Sequence, residues 1–405
     1  MTRVVVEAGK ALVVYGPARV TVTDGEAFAS GRTLHENDSV VVRVARGITF
    51  YSLKGFEAEI VCGPSGRYTL VEFDKGFVET WVKGIQDIVN SGFRRILVVG
   101  APDTGKSTFS LWLYNSVYEK ACFIESDVGQ NELGLPGFVA ASCGKSGFSL
   151  QDLVVDKAWF VGHVSADAST EGVIVATLHA VRYAGSKFAV IDTDGYVRGH
   201  GLRYKLLIAE AINADTVVVM GDQNIAKLFK SLGYDVHILP PPHTAREREQ
   251  SDRRIYRERA YANLFREHSV VELDISNIPV VNLCKPLACS ERKTNTEIIC
   301  DNSKVIISRN INRARRGKDA ILLPSKWARG IYAAIRLADG SDIPAYVENL
   351  DLCKQKLVCR VPKMWKEEVK SAKYVVLGCI ILDENYREVL KLRHCYYPFS
   401  LVQTP

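Results

Sequence analysis

The feature that most constrains this chain is the glycine-rich segment GAPDTGKS at residues 100–107, which matches the pattern GxxxxGK[ST]. The apolar residues 96–99 before it predict a strand, and the residues after it favour a helix. In this setting the loop can curl its backbone N–H groups around phosphate oxygens, aided by the dipole of the helix N-terminus. Lys106 would place its charge on the β- and γ-phosphates, and Ser107 would offer a hydroxyl to Mg²⁺. The segment therefore predicts a phosphate-binding loop in an α/β domain.

Alternating apolar strands and helix-length segments surround this loop. Further apolar runs with strand character lie at 121–127, 158–164, 188–193, 215–221 and 235–240. Strands that are apolar on both faces and separated by helices predict a parallel sheet covered on both sides. Phe77, Trp81, Ile85 and Ile88 recur at helical spacing and predict a helix that leads into the first strand.

Both ends of the chain have a β-type pattern. Residues 1–75 consist of short apolar runs broken by glycine about every ten residues, which predicts a small β-sandwich or barrel. The pattern becomes β-like again from about residue 286. We therefore predict an N-terminal β-domain at 1–75, a P-loop domain at 76–285 with an arginine-rich lid at about 244–268, and a β-rich domain at 286–405.

Composition and charge narrow the class of protein. Of the 405 residues, 47% are hydrophobic and 24% charged, which is typical of a globular chain and excludes a disordered one. No apolar run approaches the roughly 20 residues of a membrane helix, and the N-terminus has no signal-peptide pattern, so we expect an intracellular protein. That location would be cytoplasmic in a prokaryote and nuclear or nucleolar in a eukaryote. The net charge of +6 permits a polyanionic partner without requiring one.

The ten cysteines do not predict a zinc site. Their closest spacings are Cys284-x4-Cys289 and Cys353-x5-Cys359, and no CxxC pair occurs. Structural zinc sites need closer, repeated pairs to complete a tetrahedral shell. We expect most of these cysteines to be small buried apolar residues, and the sequence leaves open whether any of them form disulfides.

A pair of carboxylates follows the second predicted strand of the α/β region. Glu125 and Asp127 are two residues apart and share a face of the strand at its carboxyl end, where open α/β sheets bind ligands. One carboxylate can support the hydration shell of Mg²⁺, and the other can accept a proton from an attacking hydroxyl. Asp192-x-x-Gly195 also fits the DxxG motif of GTPases, but no [NT]KxD motif for guanine follows, so ATP is favoured.

Arginines are concentrated after three consecutive prolines at 240–242. The cluster comprises Arg246, Arg248, Arg253, Arg254, Arg257 and Arg259. Arg253 and Arg257 are four residues apart and share a helical face. Interleaved acidic residues are also compatible with a solvated, ion-paired helix. An arginine pair can alternatively spread the charge of a phosphoryl group in transfer, and a hinged helix can act as a lid.

Together these motifs resemble the polynucleotide 5′-hydroxyl-kinase family, which includes the kinase subunit of the messenger-RNA cleavage factor, ribosomal-RNA-processing kinases and archaeal relatives. The resemblance implies a P-loop kinase core between two β-rich domains, with ATP and Mg²⁺ as cofactors. It covers nearly the whole chain, although only the central domain has sharp motifs.

The resemblance also implies site residues. The family's phosphate loop corresponds to Gly100, Asp103, Thr104, Gly105, Lys106, Ser107 and Thr108. Its DxDxGQ motif corresponds to residues 125–130, with Glu125 in place of the first aspartate, Asp127 at the position of the base and Gln130 at the substrate. Its TxGW clasp corresponds to Thr193 through Tyr196, with tyrosine in place of tryptophan. Its lid arginines correspond to Arg248, Arg253 and Arg257.

The implied reaction is transfer of the γ-phosphoryl group of ATP to the 5′-hydroxyl of an RNA or DNA end. Lys106, Asp127, Arg253 and Arg257 would be catalytic. Gln130, Thr193, Tyr196 and Arg248 would bind the substrate, while Ser107, Glu125 and Asp127 would hold Mg²⁺, partly through water. A nucleotide-hydrolysing switch, a small-metabolite kinase and an ATP-bound scaffold subunit of an RNA-processing complex stay open as alternatives. The sequence does not discriminate RNA from DNA.

Overall fold

The computed structural model describes residues 1–44, 46–242, 250–291, 295–301 and 303–402, and at 250–252 only the backbone. The chain divides into two compact units. The first unit comprises Met1–Ser126, Ala141–Asp156 and Thr177–Glu247, and the second comprises Asp127–Ala140, Lys157–Ala176 and Arg248–Pro405. Each unit is made of several chain segments, so the division into three consecutive domains stays a prediction.

The N-terminal part of the first unit is a β-sandwich. Its strands are β1 (Thr2–Val6), β2 (Lys10–Tyr15), β3 (Ala18–Gly25), β4 (Ala27–Ala29), β5 (Arg32–Leu34), β6 (Ser39–Val42), β7 (Gly47–Tyr51), β8 (Phe56–Cys62) and β9 (Arg67–Glu72). They form two sheets with the orders β1-β8-β3-β6 and β5-β4-β7-β2-β9. Buried side chains from both sheets share one core, which includes Val20 of β3 and Phe50 of β7.

The strands of the central region follow the glycine-rich loop and the apolar runs around it. They are β10 (Arg95–Gly100), β11 (Ala121–Glu125), β12 (Phe138–Cys143), β13 (Lys157–Phe160), β14 (Phe188–Asp192), β15 (Thr216–Met220) and β16 (Asp235–Leu239). Within the first unit, the order β11-β14-β10-β15-β16 is parallel throughout. All residues of β11 and β15 are buried, as expected for a sheet covered on both faces. The predicted α/β fold with a parallel sheet is confirmed.

Two details of the central strands differ from the prediction. β12 was not predicted from the sequence, although all of its residues except the last are buried. β13 is shorter than the run at 158–164, because the chain leaves the extended conformation after Phe160.

The helices are α1 (Lys75–Asn90), α2 (Lys106–Val117), α3 (Thr170–Ala184), α4 (His200–Ala211), α5 (Gln223–Ser231) and α6 (Gln250–Leu264). α1 is the helix predicted before the first central strand, and Trp81, Ile85 and Ile88 are buried on one face of it. Its N-cap, Asp74, accepts a hydrogen bond from the backbone N–H of Phe77 at 2.9 Å, which satisfies one of the unpaired donors of the first turn. Short 3-10 helices lie at Tyr118–Lys120, Leu150–Asp152, Ala166–Ala168, Lys363–Trp365, Glu368–Ser371 and Phe399–Val402.

The C-terminal part of the second unit is β-rich. Its strands are β17 (His268–Asp274), β18 (Val280–Val281), β19 (Pro286–Glu291), β20 (Asn295–Cys300), β21 (Ser303–Ser308), β22 (Arg315–Arg316), β23 (Ile321–Pro324), β24 (Ile331–Leu337), β25 (Asp342–Asp351), β26 (Lys356–Pro362), β27 (Ala372–Leu382) and β28 (Glu388–Lys391). One sheet has the order β17-β26-β25-β24-β27-β18, with β28 paired to β27, and the other has the order β19-β20-β21-β23-β22. Buried residues of both sheets contribute to one hydrophobic core.

Most of the cysteines are paired rather than free apolar residues, which differs from the expectation. The disulfides are Cys122–Cys143 in the first unit and Cys284–Cys300, Cys289–Cys353 and Cys379–Cys395 in the second. The free cysteines are Cys62, which is exposed, and Cys359, which is buried. Partners in these pairs are up to 64 residues apart in sequence, so tertiary structure rather than local spacing brings them together.

Candidate functional site

The glycine-rich loop joins β10 to α2 in the first unit. β10 ends at Gly100, and α2 begins at Lys106. Thr104 Oγ1 donates a hydrogen bond to the carbonyl oxygen of Ala101 at 2.9 Å, and Lys106 Nζ donates to the same oxygen at 2.7 Å. The Lys106 side chain is therefore folded back over the loop at the N-terminus of α2. A phosphate group is attracted to that place by the helix dipole, by the lysine charge and by backbone N–H groups.

Two residues of the loop have a left-handed backbone. Gly105 has a φ of 84°, and a Cβ at this position would lie 2.6 Å from Cδ of Pro242, so both conformation and space require glycine. Asp103 has a φ of 59°, which aspartate tolerates better than most residues. Ser107 and Asp103 are half-buried, while Thr108 is exposed. The residues predicted to bind nucleotide therefore run without a break from the end of β10, through the loop, into the first turn of α2.

Two buried carboxylates lie side by side at the carboxyl edge of the parallel sheet. β11 ends at Glu125 and β14 ends at Asp192, and the register of the two strands pairs these residues directly. Each is only 1% exposed. Ser110 Oγ on α2 donates to Asp192 Oδ1 at 3.2 Å. Oxygen donors of this kind suit Mg²⁺.

The sequence reasoning identified Glu125 but missed its partner. Asp192 was considered only as the first residue of a GTPase motif. The signal that could have found it is its position at the end of another buried parallel strand, because carboxyl ends of such strands lie at the same edge of a sheet.

The predicted clasp at Thr193–Tyr196 follows β14 directly. Thr193 is 1% exposed, and its Oγ1 donates to the carbonyl oxygen of Val98 on β10 at 2.7 Å. Its hydroxyl therefore anchors the clasp to the sheet. Tyr196 is half-buried, and its backbone N–H donates to Asp194 Oδ1 at 2.7 Å. The ring of Tyr196 is the part of the clasp that offers a stacking surface.

A buried ion pair connects the clasp to α4. Lys205 is fully buried, and its Nζ lies 2.8 Å from Oδ1 of Asp194, which is itself 7% exposed. The hydroxyl of Tyr204 donates to Asp194 Oδ2 at 2.9 Å. The sequence reasoning did not single out Asp194 or Lys205, because nothing local marks a contact between a loop residue and the next helix.

The clasp also touches the phosphate loop. A Cβ on Gly195 would lie 2.6 Å from Cγ and 2.7 Å from the backbone nitrogen of Pro102. Real Cβ atoms do not approach other atoms so closely, so only glycine allows this contact. The nucleotide loop and the clasp therefore form one packed structure in the first unit.

The predicted base, Asp127, begins a tight turn in the second unit. Its Oδ1 accepts hydrogen bonds from the backbone N–H groups of Gly129 and Gln130, both at 2.9 Å. Asp127 and Gln130 are half-buried. These two bonds hold the carboxylate in one orientation, which is what a general base needs.

The predicted lid arginines fall on α6 or just before it. Arg248 lies outside the described residues, and Arg253 is half-buried. Arg257 is 6% exposed, and its guanidinium is bound by the carboxylate of Glu388 on β28. Burial opposes its charge, but the hydrogen bonds and charge of Glu388 outweigh burial and raise the pKa of Arg257, and the charge of Asp127 adds to this.

The predicted site residues thus form two groups. The first unit contains the phosphate loop with Lys106, the carboxylate Glu125, and the clasp residues Thr193 and Tyr196. The second unit contains Asp127 and Gln130 together with Arg253 and Arg257. Within the described ranges, no helix has both the length and the apolar character needed to cross a membrane.

A glycine-rich loop between a parallel strand and a helix, with carboxylates at the same sheet edge, defines a P-loop nucleotide-binding protein. Residues 100–267 match the family model described as the mRNA cleavage and polyadenylation factor CLP1 P-loop. This central stretch of the chain is therefore similar to the CLP1 P-loop family.

Individual relatives are similar over different lengths. A polyribonucleotide 5′-hydroxyl-kinase of Pyrococcus furiosus is 28% identical over 194 residues, which are 46% of this chain and 54% of the relative. The polyribonucleotide 5′-hydroxyl-kinase Clp1 of Xenopus tropicalis is 22% identical over 326 residues, 70% of this chain and 74% of the relative. The chain thus spans about half the length of the archaeal relatives that it matches.

A solved structure has the same fold over nearly the whole chain. The structure of the wild-type Clp1p–Pcf11p complex superposes with a TM-score of 0.66 at 13% identity, and the match covers 94% of this chain and 97% of the other. The predicted combination of a P-loop core with β-rich regions on both sides is confirmed by this similarity.

Proposed function

We propose that this protein is an ATP-dependent polynucleotide 5′-hydroxyl kinase that acts in RNA processing. It transfers the γ-phosphoryl group of ATP to the 5′-hydroxyl of an RNA end, and the same chemistry extends to a DNA end. The observation that carries the proposal is the phosphate loop with Lys106 folded over it, in a family whose curated relatives are named polyribonucleotide 5′-hydroxyl-kinases.

ATP binds at the loop of residues 100–108. Its backbone N–H groups and the N-terminus of α2 take the phosphate oxygens, and Lys106 turns from the Ala101 carbonyl to the β- and γ-phosphates. Because Lys106 is already buried, its charge acts in a place with little water and is weakly screened.

Asp127 accepts the proton of the 5′-hydroxyl as the hydroxyl oxygen attacks the γ-phosphorus. The new bond joins this oxygen to phosphorus, the bond from phosphorus to the bridging oxygen breaks, and ADP leaves. The two backbone N–H groups on Oδ1 hold Asp127 in place for this step. General-base groups of this type contribute about 10²–10⁴-fold to rate.

The remaining site residues bind charge and substrate. Arg253 and Arg257 stabilise the negative charge of the transferring group. Arg248 and Gln130 bind the terminal nucleotide, and Tyr196 stacks on its base, with Thr193 holding the clasp to the sheet.

Mg²⁺ fits the donor set of the site. Ser107 supplies a hydroxyl, and Glu125 and Asp127 supply carboxylates, partly through water. Asp192 adds a further oxygen next to Glu125. When bound, the ion neutralises charge on the β- and γ-phosphates.

The partners follow from the reaction. RNA or DNA 5′-hydroxyl ends are the acceptors, and the similarity to the Clp1p–Pcf11p complex supports proteins of RNA processing as further partners. We propose an intracellular location, in the compartment where these RNA ends are made.

The test uses γ-labelled ATP, Mg²⁺ and matched RNA and DNA oligonucleotides with 5′-hydroxyl ends. We expect label on the oligonucleotide with the wild-type protein and a loss of about 10²–10³-fold with Lys106→Ala. Lys227→Ala, an exposed lysine on α5 of the same unit, is the matched control and should keep full activity. Oligonucleotides that already carry a 5′-phosphate should accept no label.

Asp127→Asn tests the base. Asparagine keeps an oxygen for the two backbone N–H groups but does not accept a proton, so transfer should fall while ATP binding persists. Near-normal transfer by this variant would overturn the assignment of Asp127. Release of labelled phosphate without a labelled oligonucleotide would instead indicate a nucleotide-hydrolysing switch, and tight ATP binding without turnover would indicate a scaffold.

A further inference from the structure

Glu388 is a buried carboxylate that the sequence reasoning did not connect with the site. It is the first residue of β28, it is 4% exposed, and it lies 131 residues after Arg257 in the chain. Burial by itself would raise the pKa of Glu388, but the hydrogen bonds and charges of Arg257 and Lys391 outweigh burial and lower it. Glu388 is therefore ionised at neutral pH.

The contact between Glu388 and Arg257 is bidentate. Arg257 Nε donates to Oε1 at 2.6 Å, and Arg257 Nη2 donates to Oε2 at 2.8 Å. Parallel bonds of this kind fix the plane of the guanidinium as well as its position. The partners are 8% and 1% exposed at their side chains, so water screens the pair only weakly.

Neighbouring hydrogen bonds also connect α6 to Glu388 on β28. Arg254 Nη2 donates to the carbonyl oxygen of Glu388 at 2.6 Å, and the backbone N–H of Glu388 donates to Glu258 Oε1 at 3.0 Å. Arg254 and Glu258 are also paired with each other at 2.8 Å. One turn of α6 thus forms hydrogen bonds with both the backbone and the side chain of Glu388.

The contact leaves part of the arginine available for a ligand. A guanidinium has five N–H donors, and Glu388 uses one on Nε and one on Nη2, which leaves the Nη1 edge outside the fork. Asp127, the proposed base, is among the charges that act on Arg257. Arg257 can therefore keep both bonds to Glu388 and still donate hydrogen bonds to a further anionic group.

Aromatic side chains also pack the C-terminal end of α6 against the C-terminal sheet. Tyr261 of α6 and Phe265, the residue that follows α6, are 0% and 1% exposed, and their rings lie 4.9 Å and 6.3 Å from the ring of Tyr332 on β24. Phe265 also stacks on Tyr386, two residues before Glu388, at 5.3 Å. α6 is thus held on the C-terminal sheet over several turns.

We infer that Glu388 is the positioning residue for Arg257: it fixes the guanidinium so that its remaining edge meets the phosphoryl group in transfer. This inference rests on the proposed function. It gives the C-terminal β-rich part of the chain a role in the reaction that acts through Arg257, because a residue of β28 sets the geometry of this arginine.

The test compares Glu388→Gln with the wild type in oligonucleotide phosphorylation. Glutamine has the same shape but lacks the charge that orients the fork, so kcat should fall by about 10- to 100-fold, a larger change than the accompanying rise in the KM for ATP. In an Arg257→Ala background, Glu388→Gln should cause no further loss of kcat, because its effect passes through Arg257. Glu388→Asp, which keeps the charge but shortens the reach, replaces the glutamine variant if that variant does not fold.

Asp342→Asn is the matched control. Asp342 is 5% exposed and also forms a bidentate pair, with the half-buried Arg336, in the same unit. Its loss should lower the unfolding temperature about as much as Glu388→Gln does and leave kcat unchanged. If both variants lowered kcat equally, or if Glu388→Gln lowered kcat further in the Arg257→Ala background, Glu388 would be only a structural residue.

A binding measurement separates this inference from the proposed function. Arg257 should strengthen binding of ATP relative to ADP, and Glu388→Gln should reduce that preference to the level of Arg257→Ala. A wild-type protein that prefers ATP but phosphorylates no oligonucleotide would refute the proposed function, and the binding ratios would still decide the role of Glu388. A wild-type protein that shows no preference for ATP over ADP would overturn the inference.

Discussion

The buried ion pair behind the clasp offers a quantitative test of the structure. Lys205 is fully buried, and Asp194 Oδ1 faces its Nζ at 2.8 Å. Asp194→Asn keeps the shape of the side chain and can still accept the backbone N–H of Tyr196, but it removes the negative charge. Breaking a buried pair from one side typically costs about 3–5 kcal/mol. We expect a loss of this size in the free energy of unfolding of the first unit.

Replacing Lys205, the other partner of the pair, should lower the free energy of unfolding by less. In Lys205→Met, Asp194 keeps the hydrogen bonds from the Tyr204 hydroxyl at 2.9 Å and from the Tyr196 N–H at 2.7 Å, so its carboxylate is still solvated by neutral donors. The double variant has an uncharged contact, between an asparagine amide and a methionine side chain, in place of the pair, and replacing a whole buried pair is often nearly neutral. We therefore expect the double variant to be more stable than Asp194→Asn alone, with a coupling energy of about 2 kcal/mol or more.

Scanning calorimetry of the wild type, the two single variants and the double variant, each with and without ATP, measures these losses of stability. For a unit of this size, each kcal/mol shifts the unfolding temperature by about 2–4 °C, so Asp194→Asn should lower it by about 6–20 °C. The reasoning would be refuted if the losses of the two single variants simply added in the double variant, because independent residues behave in that way.

Three further predictions concern the reactivity of the cysteine thiols, the pH dependence of stability and the Mg²⁺ concentration needed for transfer. A thiol reagent should react only with Cys62 in the native protein and with Cys62 and Cys359 after unfolding without reductant. All ten cysteines should react after reduction. Additional reactive thiols in the native protein would contradict the disulfides. Burial lowers the pKa of His163, so its contribution to stability should be complete above about pH 6.5 and fall, by at most about 1.4 kcal/mol per pH unit, down to its pKa in the folded protein. His163→Gln should flatten the dependence of unfolding temperature on pH below about pH 6.5, and equal slopes in the wild type and the variant would count against this. Asp192→Asn should raise the Mg²⁺ concentration needed for half-maximal transfer by about 10-fold, and an unchanged Mg²⁺ dependence would exclude Asp192 from the metal shell.

The parts of the fold that were predicted correctly depend on local patterns. The loop at 100–107 is recognisable because its glycines, lysine and serine all act within one turn between a strand and a helix. β14 and β15 were found because each is a short run buried on both faces. Helix α1 was found because its apolar residues repeat with the helical period.

The parts that were missed depend on contacts between distant residues. β12 has a short apolar run that resembles any buried segment, and nothing in its own residues marks it as a strand. Asp192 looked like part of a different motif until the register of β11 and β14 placed it beside Glu125. Lys205 looked like an ordinary helix residue, and only the packing of α4 shows that it is buried against Asp194.

The sequence by itself determined the class of fold and the chemistry of the phosphate loop, because both depend on residues that are close to one another in the chain. It also predicted that Arg257 belongs to a lid. Only the tertiary structure decided which residue orients that arginine, since Glu388 lies 131 positions away and no spacing rule connects the two. A buried charge needs a partner, but the sequence does not say where along the chain the partner lies, because the fold alone brings distant residues together.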